Sequence, residues 1–131
     1  MILKRILYVE DDPEIQKIAC LTLERIGGFT VELCGSGEEA VRRAPEFLPD
    51  VILMDVLMPG MDGLTTLRAL RALPQTAHIP VIFLTAMAQV HEVEHYRNQG
   101  AADVITKPFD PIQLPGLIRA IWEQATALHR E

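Results

Sequence analysis

The chain has 131 residues, a formal net charge of −6, 49% apolar residues and 5% aromatics, which is room for one domain, 1–131, built on an aliphatic core. The acidic balance argues against a nucleic-acid platform, which wants a basic stripe. No apolar run is long enough to span a membrane, and the first residues lack the apolar region and cleavage site of a signal peptide, so a cytoplasmic protein with no membrane contact is expected.

Strand-like and helix-like segments then alternate five times. Ile6–Val9 is a short apolar run that reads as a strand. Pro13–Ile26 carries Ile15, Ile18, Ala19, Thr22, Leu23 and Ile26 at helical spacing. Asp12 is its expected N-cap, Pro13 its first residue and Gly27-Gly28 its end. Cys20 in this helix and Cys34 further on lack any metal-binding spacing, so both are expected as reduced thiols. Phe29–Cys34 is the second strand. Ser36 and Glu39 form a capping-box pattern that opens a helix ending before Pro49. Val51–Met54 is the third strand, ending on Asp55. Met58–Gly63 is a loop in which Asp62 and Gly63 serve turn and cap chemistry. Leu64–Leu73 is a helix that stops before Pro74. Val81–Leu84 is the fourth strand, ending on Thr85, and a helix follows over about Ala88–Gln99. Val104–Thr106 is the fifth strand, ending on Lys107. Asp110-Pro111 begins the last helix, with Leu114, Leu117, Ile118, Ile121 and Trp122 on its apolar side.

This alternation predicts an α/β fold, a parallel sheet with helices on both faces and right-handed crossovers. Such sheets bind ligands at the carboxyl ends of their strands. Those ends carry Glu10, Asp11 and Asp12 after the first strand, then Asp55, Thr85 and Lys107. Clustered carboxylates repel: at an effective dielectric near 20, two charges about 4 Å apart cost roughly 4 kcal/mol. Protonation or a divalent cation must offset this. All-oxygen ligands select a hard ion, and too few carboxylates for a full cage favour Mg²⁺ with retained waters. An aspartate in the field of that cation and an ammonium can accept a phosphoryl group as an acyl phosphate. Thr85 can then donate a hydrogen bond to the phosphate, a contact that exists in only one of two states.

At these residues the chain resembles response-regulator receiver domains over nearly its whole length. The matching stretches are Ile6-Leu7-Tyr8-Val9-Glu10-Asp11-Asp12, Asp55-Val56-Leu57-Met58-Pro59-Gly60-Met61-Asp62-Gly63, Thr85-Ala86 and Lys107-Pro108-Phe109. The resemblance implies a doubly wound, flavodoxin-like five-stranded sheet of order 2-1-3-4-5 with five helices. It implies Asp55 as phosphoacceptor, and Glu10, Asp11, Asp55 and the Leu57 backbone carbonyl as Mg²⁺ ligands. Thr85 becomes the switch hydroxyl and Lys107 the phosphate-pairing ammonium, with a cis bond to Pro108. The implied partners are a histidine kinase or histidine phosphotransfer protein as donor, and a downstream protein or output domain. A homodimer is a further option. The protein is then a phosphoacceptor switch rather than an enzyme, with only its own autophosphorylation and autodephosphorylation chemistry. The switch repacks the face built by the fourth helix, fifth strand and fifth helix.

Two positions depart from the family pattern. Val104 stands where many members carry an aromatic, so the Thr85 movement is reported by something else, or weakly. Pro115 falls one turn into the last helix, which therefore begins late or kinks near Leu114. His91-Glu92-Val93-Glu94-His95 matches the HExxH pattern of zinc proteases. A third protein ligand is not evident, and a polar helix face backed by Val90, Val93 and Tyr96 is expected. Met54, Met58, Met61 and Met87 read as core filler or loop packing. Leu57 and Met87 flank the expected phosphoryl position, and their apolar bulk predicts a long-lived acyl phosphate.

There are two rival readings. A phosphohydrolase of the haloacid dehalogenase type also uses an aspartyl phosphate, but that family has a second Asp two residues on. Here that position is Leu57, and the chain has no room for a cap domain. A receiver-like interaction module that works without phosphorylation is the other, and the intact set of acids, Thr85 and Lys107 argues against it.

Overall fold

The computed structural model describes residues 2–86 and 89–127. In chain order the elements are β1 (Arg5–Val9), α1 (Pro13–Arg25), β2 (Thr30–Cys34), α2 (Gly37–Phe47), β3 (Val51–Asp55), α3 (Gly63–Arg71), β4 (Val81–Thr85), α4 (Val90–Asn98), β5 (Asp103–Thr106) and α5 (Leu114–Ala127). The strands form one sheet of order β2-β1-β3-β4-β5, with every pairing parallel. All five residues of β3 and all five of β4 are buried. Strands covered on both faces read as unbroken apolar runs rather than as alternation.

Successive residues serve opposite layers. Leu7, Val9, Ile52, Met54, Val81 and Phe83 pack against Ala40 and Ala44 of α2, Leu67 and Leu70 of α3 and Tyr96 of α4. Ile6, Tyr8, Leu53, Ile82 and Leu84 pack against Ala19 and Leu23 of α1 and Leu114, Ile118 and Trp122 of α5. Cys34 is buried and Cys20 half-buried, and both are free thiols. No helix among the described residues is long and apolar enough to cross a membrane.

The helix starts follow from their caps. Asp12 Oδ1 accepts from Glu14 N at 2.9 Å, with Pro13 opening α1. Ser36 Oγ accepts from Glu39 N at 3.2 Å, while the Glu39 carboxylate accepts from Gly35 N at 3.3 Å. That is one residue earlier than in a regular capping box. Asp62 Oδ1 accepts from Thr65 N at 2.8 Å. Gly63 starts α3 directly against the end of β3: a Cβ there would lie 2.8 Å from Val56 Cα, so only glycine permits the approach.

Four details differ from the sequence reading. First, α5 starts at Leu114, the late start that Pro115 implied, and not at Asp110-Pro111. Residues 111–113 form a turn in which the Asp110 carbonyl accepts from Gln113 N and Leu114 N. Pro115 is then the second helical residue, where its missing N–H has no intrahelical acceptor to lose. Second, α4 begins at Val90 and Val90 is exposed, so of the three apolar residues expected to back this helix Val93 and Tyr96 face inward. The first turn of α4 stands at the carboxyl edge, past the end of β4. The predicted start at Ala88 lies outside the described residues. Third, Ile18 and Ile26 are exposed because α1 buries only Ala19, Thr22 and Leu23. Fourth, Leu117 is exposed on α5 for the same reason: the apolar stripe is wider than the contact. The Lys107–Pro108 bond is cis, as the resemblance implied.

Candidate functional site

The parallel register aligns the strand ends on one edge. Val9 lies beside Met54, Asp55 beside Leu84 and Thr85 beside Thr106. Asp55 and Thr85, the last residues of β3 and β4, and Glu10 and Lys107, the first after β1 and β5, therefore share that edge. Lys107 Nζ donates to Glu10 Oε1 at 3.1 Å and to Asp55 Oδ2 at 3.0 Å, across sequence separations of 97 and 52. Glu10 is 1% exposed, Asp55 6% and Thr85 2%, whereas Asp11 is exposed. Carboxylate oxygens of Glu10, Asp11 and Asp55 lie within 4.8 Å of one another, the one group of its kind found among the described residues that could hold a metal ion.

Backbone amides hold these side chains in place. Asp12 N donates to Glu10 Oε2 at 3.3 Å and Leu57 N to Asp55 Oδ1 at 3.3 Å. Glu10 N is bonded to the Cys34 carbonyl, and Lys107 N to the Thr85 carbonyl at 2.9 Å, which ties the β5 end to the β4 end. The Gln16 side chain donates to the Glu10 carbonyl.

Burial, and then the Asp55 charge, push the Glu10 carboxyl above the usual carboxylate range, against the pull of Lys107. Burial alone would lower the Lys107 ammonium, but its bonds to Asp55 and Glu10 outweigh that and the net direction is up. Burial, followed by the Glu10 charge, also holds the Tyr8 phenol far above its ordinary value. Three carboxylates thus face one ammonium, and an all-oxygen donor set suits a hard cation.

The remaining sequence candidates divide clearly. Asp12 and Asp62 are helix caps. Leu57 is exposed beside Asp55; Met54 and Met58 are buried and Met61 is half-buried, while Met87 lies outside the described residues. His91 and His95 are exposed on α4, and no third ligand joins them among the described residues. Val104 is half-buried in the layer that also holds Phe83 and Tyr96. Those two rings meet edge-on, 5.5 Å apart at 74°.

Two residues escaped the sequence reading. The Tyr8 hydroxyl faces Glu10 Oε1 at 3.5 Å, and the same-face spacing of residues 8 and 10 was the available signal. Glu38 Oε1 accepts from Met61 N at 2.9 Å and ties α2 to the loop after Asp55; nothing local in the sequence announces that contact. Beside Lys107, Ile15, Ile18, Ala86, Pro108, Phe109 and Pro111 line an apolar groove of about 310 Å³.

The profile of the response regulator receiver domain matches residues 6–119. The DNA-binding dual master transcriptional regulator RpaA of Synechocystis is 36% identical over 117 residues, covering 89% of this chain and 48% of that protein. The phosphate regulon regulatory protein PhoB of Klebsiella pneumoniae is 36% identical over 125 residues, covering 95% of this chain and 54% of its own length. The chain therefore spans about half the length of the curated relatives it matches. Among solved structures, the chemotaxis protein CheY4 of Vibrio cholerae superposes with a TM-score of 0.84 at 29% identity, covering 92% of this chain and 99% of that one. The receiver domain of the sensor histidine kinase PA1611 of Pseudomonas aeruginosa, solved with magnesium coordinated in its active-site cleft, gives 0.81 at 34% identity over 92% of this chain and 98% of that one.

Proposed function

This chain belongs to the response regulator receiver domain family, and from that premise we propose that it relays a signal by accepting a phosphoryl group on Asp55 beside a bound Mg²⁺. The observation that carries the reading is the Lys107 ammonium held between Asp55 and Glu10, with the Asp11 carboxylate within reach. The carboxylates of Glu10, Asp11 and Asp55, with the Leu57 carbonyl, would hold the cation. When bound, Mg²⁺ supplies positive charge that neutralises the phosphoryl oxygens and the nearby acids.

The phosphoryl donor in this reading is a histidine kinase or a histidine phosphotransfer protein. An Asp55 oxygen attacks phosphorus in line, a P–O bond forms, and the P–N bond to the donor imidazole breaks. The imidazole leaves with the bonding pair and takes a proton from solvent. In this reading Lys107 pairs with a phosphoryl oxygen and the Thr85 hydroxyl donates to the bound phosphate. The apolar groove beside Lys107 offers the donor a surface next to the acceptor. The consequence is a changed face at α4, β5 and α5, read by a downstream protein, by an output domain or by a second copy. On this reading the protein is a cytoplasmic switch and not an enzyme that turns over substrates.

Intact-protein mass spectrometry after incubation with acetyl phosphate, with and without Mg²⁺, tests it. The expected result is one added phosphoryl group on the parent only with Mg²⁺, and none on Asp55→Asn. Failure of the parent to take up phosphate from several donors, the cognate kinase included, would overturn the reading.

A further inference from the structure

We propose that Tyr8 is a positioning residue for the Glu10 carboxylate, its hydroxyl and Lys107 together fixing Oε1 so that Oε2 is the oxygen left available to a cation. The inference rests on the reading of Glu10 as a metal ligand. Glu10 directly follows β1, two residues after Tyr8, and the side chains of both turn to the same face. Tyr8 is 0% exposed, packed with Ile6, Leu53 and Leu84 and with Ala19 of α1. A phenolic hydroxyl in such a place needs a partner, and the acceptor it faces is Glu10 Oε1 at 3.5 Å. That is a long contact for an O–H···O pair, and Oε1 is the acceptor the hydroxyl faces. The neutral phenol donates and the ionised carboxylate accepts.

Three donors converge on this one carboxylate. Lys107 Nζ and the Tyr8 hydroxyl share Oε1, and Asp12 N meets Oε2. They are not equivalent. Lys107 is also bonded to Asp55 and sits on a long flexible stem, so an incoming phosphoryl group draws it away from Glu10. The Tyr8 ring is enclosed by core side chains and has few rotatable bonds. Its hydroxyl is therefore the donor that keeps Oε1 in place while Lys107 moves. Groups that orient a metal ligand from behind support metal affinity, and the Tyr8 hydroxyl contacts Glu10 rather than the reacting Asp55 oxygens, so it does not act on the bond-making step itself.

Tyr8→Phe removes the hydroxyl and keeps the ring. Mg²⁺ binding would be measured by calorimetry, and the Mg²⁺ dependence of acetyl phosphate labelling by mass spectrometry. Phe83→Leu, a buried ring on the opposite face of the sheet, is the packing control. The expected result for Tyr8→Phe is a Mg²⁺ dissociation constant raised about three- to ten-fold, the scale of one neutral hydrogen bond. The Mg²⁺ needed for half-maximal labelling rises by the same factor, with the saturated rate within about two-fold of the parent's, and Phe83→Leu leaves both constants unchanged. Unchanged constants in Tyr8→Phe, or an equal shift in Phe83→Leu, would overturn the inference while parent Mg²⁺ binding keeps the functional reading. A parent that binds no Mg²⁺ would overturn both.

Discussion

The Lys107 ammonium donates to two carboxylates, one of them 1% exposed, so removing it leaves buried charge without its cationic partner. In metal-free Lys107→Ala, leaving these groups unsatisfied costs about 1–3 kcal/mol at neutral pH. The pH dependence has a definite sign. The folded pKa of Glu10 is raised above its ordinary value of 4.5, so the folded state keeps a proton that the unfolded chain releases. That contribution to stability is full below the unfolded value and is lost as pH rises through the folded one. Lys107 is raised too, so its own contribution persists until pH exceeds 10.5 and rises through its folded value. Urea melts of metal-free parent and Lys107→Ala should therefore differ most at neutral pH and converge in acid, where Glu10 is protonated. A gap that is independent of pH would contradict the pairing. Asp55, Lys107 and the caps Asp12 and Asp62 were legible because each sits at a fixed offset from an element end. Tyr8 was not, because its role depends on where its hydroxyl ends inside a packed layer.

Among the elements, α3 matters most to the site because it begins where the loop after Asp55 finishes. Its cap is the Asp62 carboxylate, bonded to Thr65 N, and that bond holds the Asp62 pKa below its ordinary value of 3.8. Asp62→Ala should cost about 1 kcal/mol, as lost N-caps do. A depressed pKa places this contribution above the unfolded value and removes it as pH falls through the folded one. Chemical denaturation at neutral pH should show the loss, and a series at falling pH below 3.8 should show it shrinking. The other helices show what local pattern can and cannot say. Pro115 correctly signalled a late start for α5, since ring sterics act within one turn. Exposure of Val90, Ile18 and Leu117 was invisible, since it depends on whether another layer reaches that turn. The Phe83–Tyr96 contact was likewise invisible, because it joins β4 to α4 across a layer.

At the scale of the whole molecule, the acidic edge is under repulsion that a cation relieves, so ligand binding and stability are linked. A Mg²⁺ concentration about 100 times the dissociation constant should add about 2.7 kcal/mol to stability. Thermal melts in EDTA and in Mg²⁺ should show this rise in the parent, and a much smaller one in Asp11→Ala. A rise that survives intact in that variant would place the cation elsewhere. Leu57 is exposed next to Asp55, and the expected role of its apolar bulk in limiting water access belongs to the same scale. Leu57→Asn should shorten the phosphoryl lifetime, read by the decay of the added mass, and an unchanged lifetime would remove Leu57 from that role.

By itself the sequence determined the alternation of strands and helices, the unbroken apolar runs of buried parallel strands, and which residue stands at each strand end. Those features depend on side-chain period and type over a few positions, which is information the chain carries locally. Only the tertiary structure decided that Lys107 bridges Glu10 and Asp55, that Tyr8 stands behind Glu10, that Glu38 holds the loop after Asp55, and that Tyr96 meets Phe83 edge-on. Contacts of that kind join segments far apart in the chain, and both their distances and their burial exist only once the layers have packed.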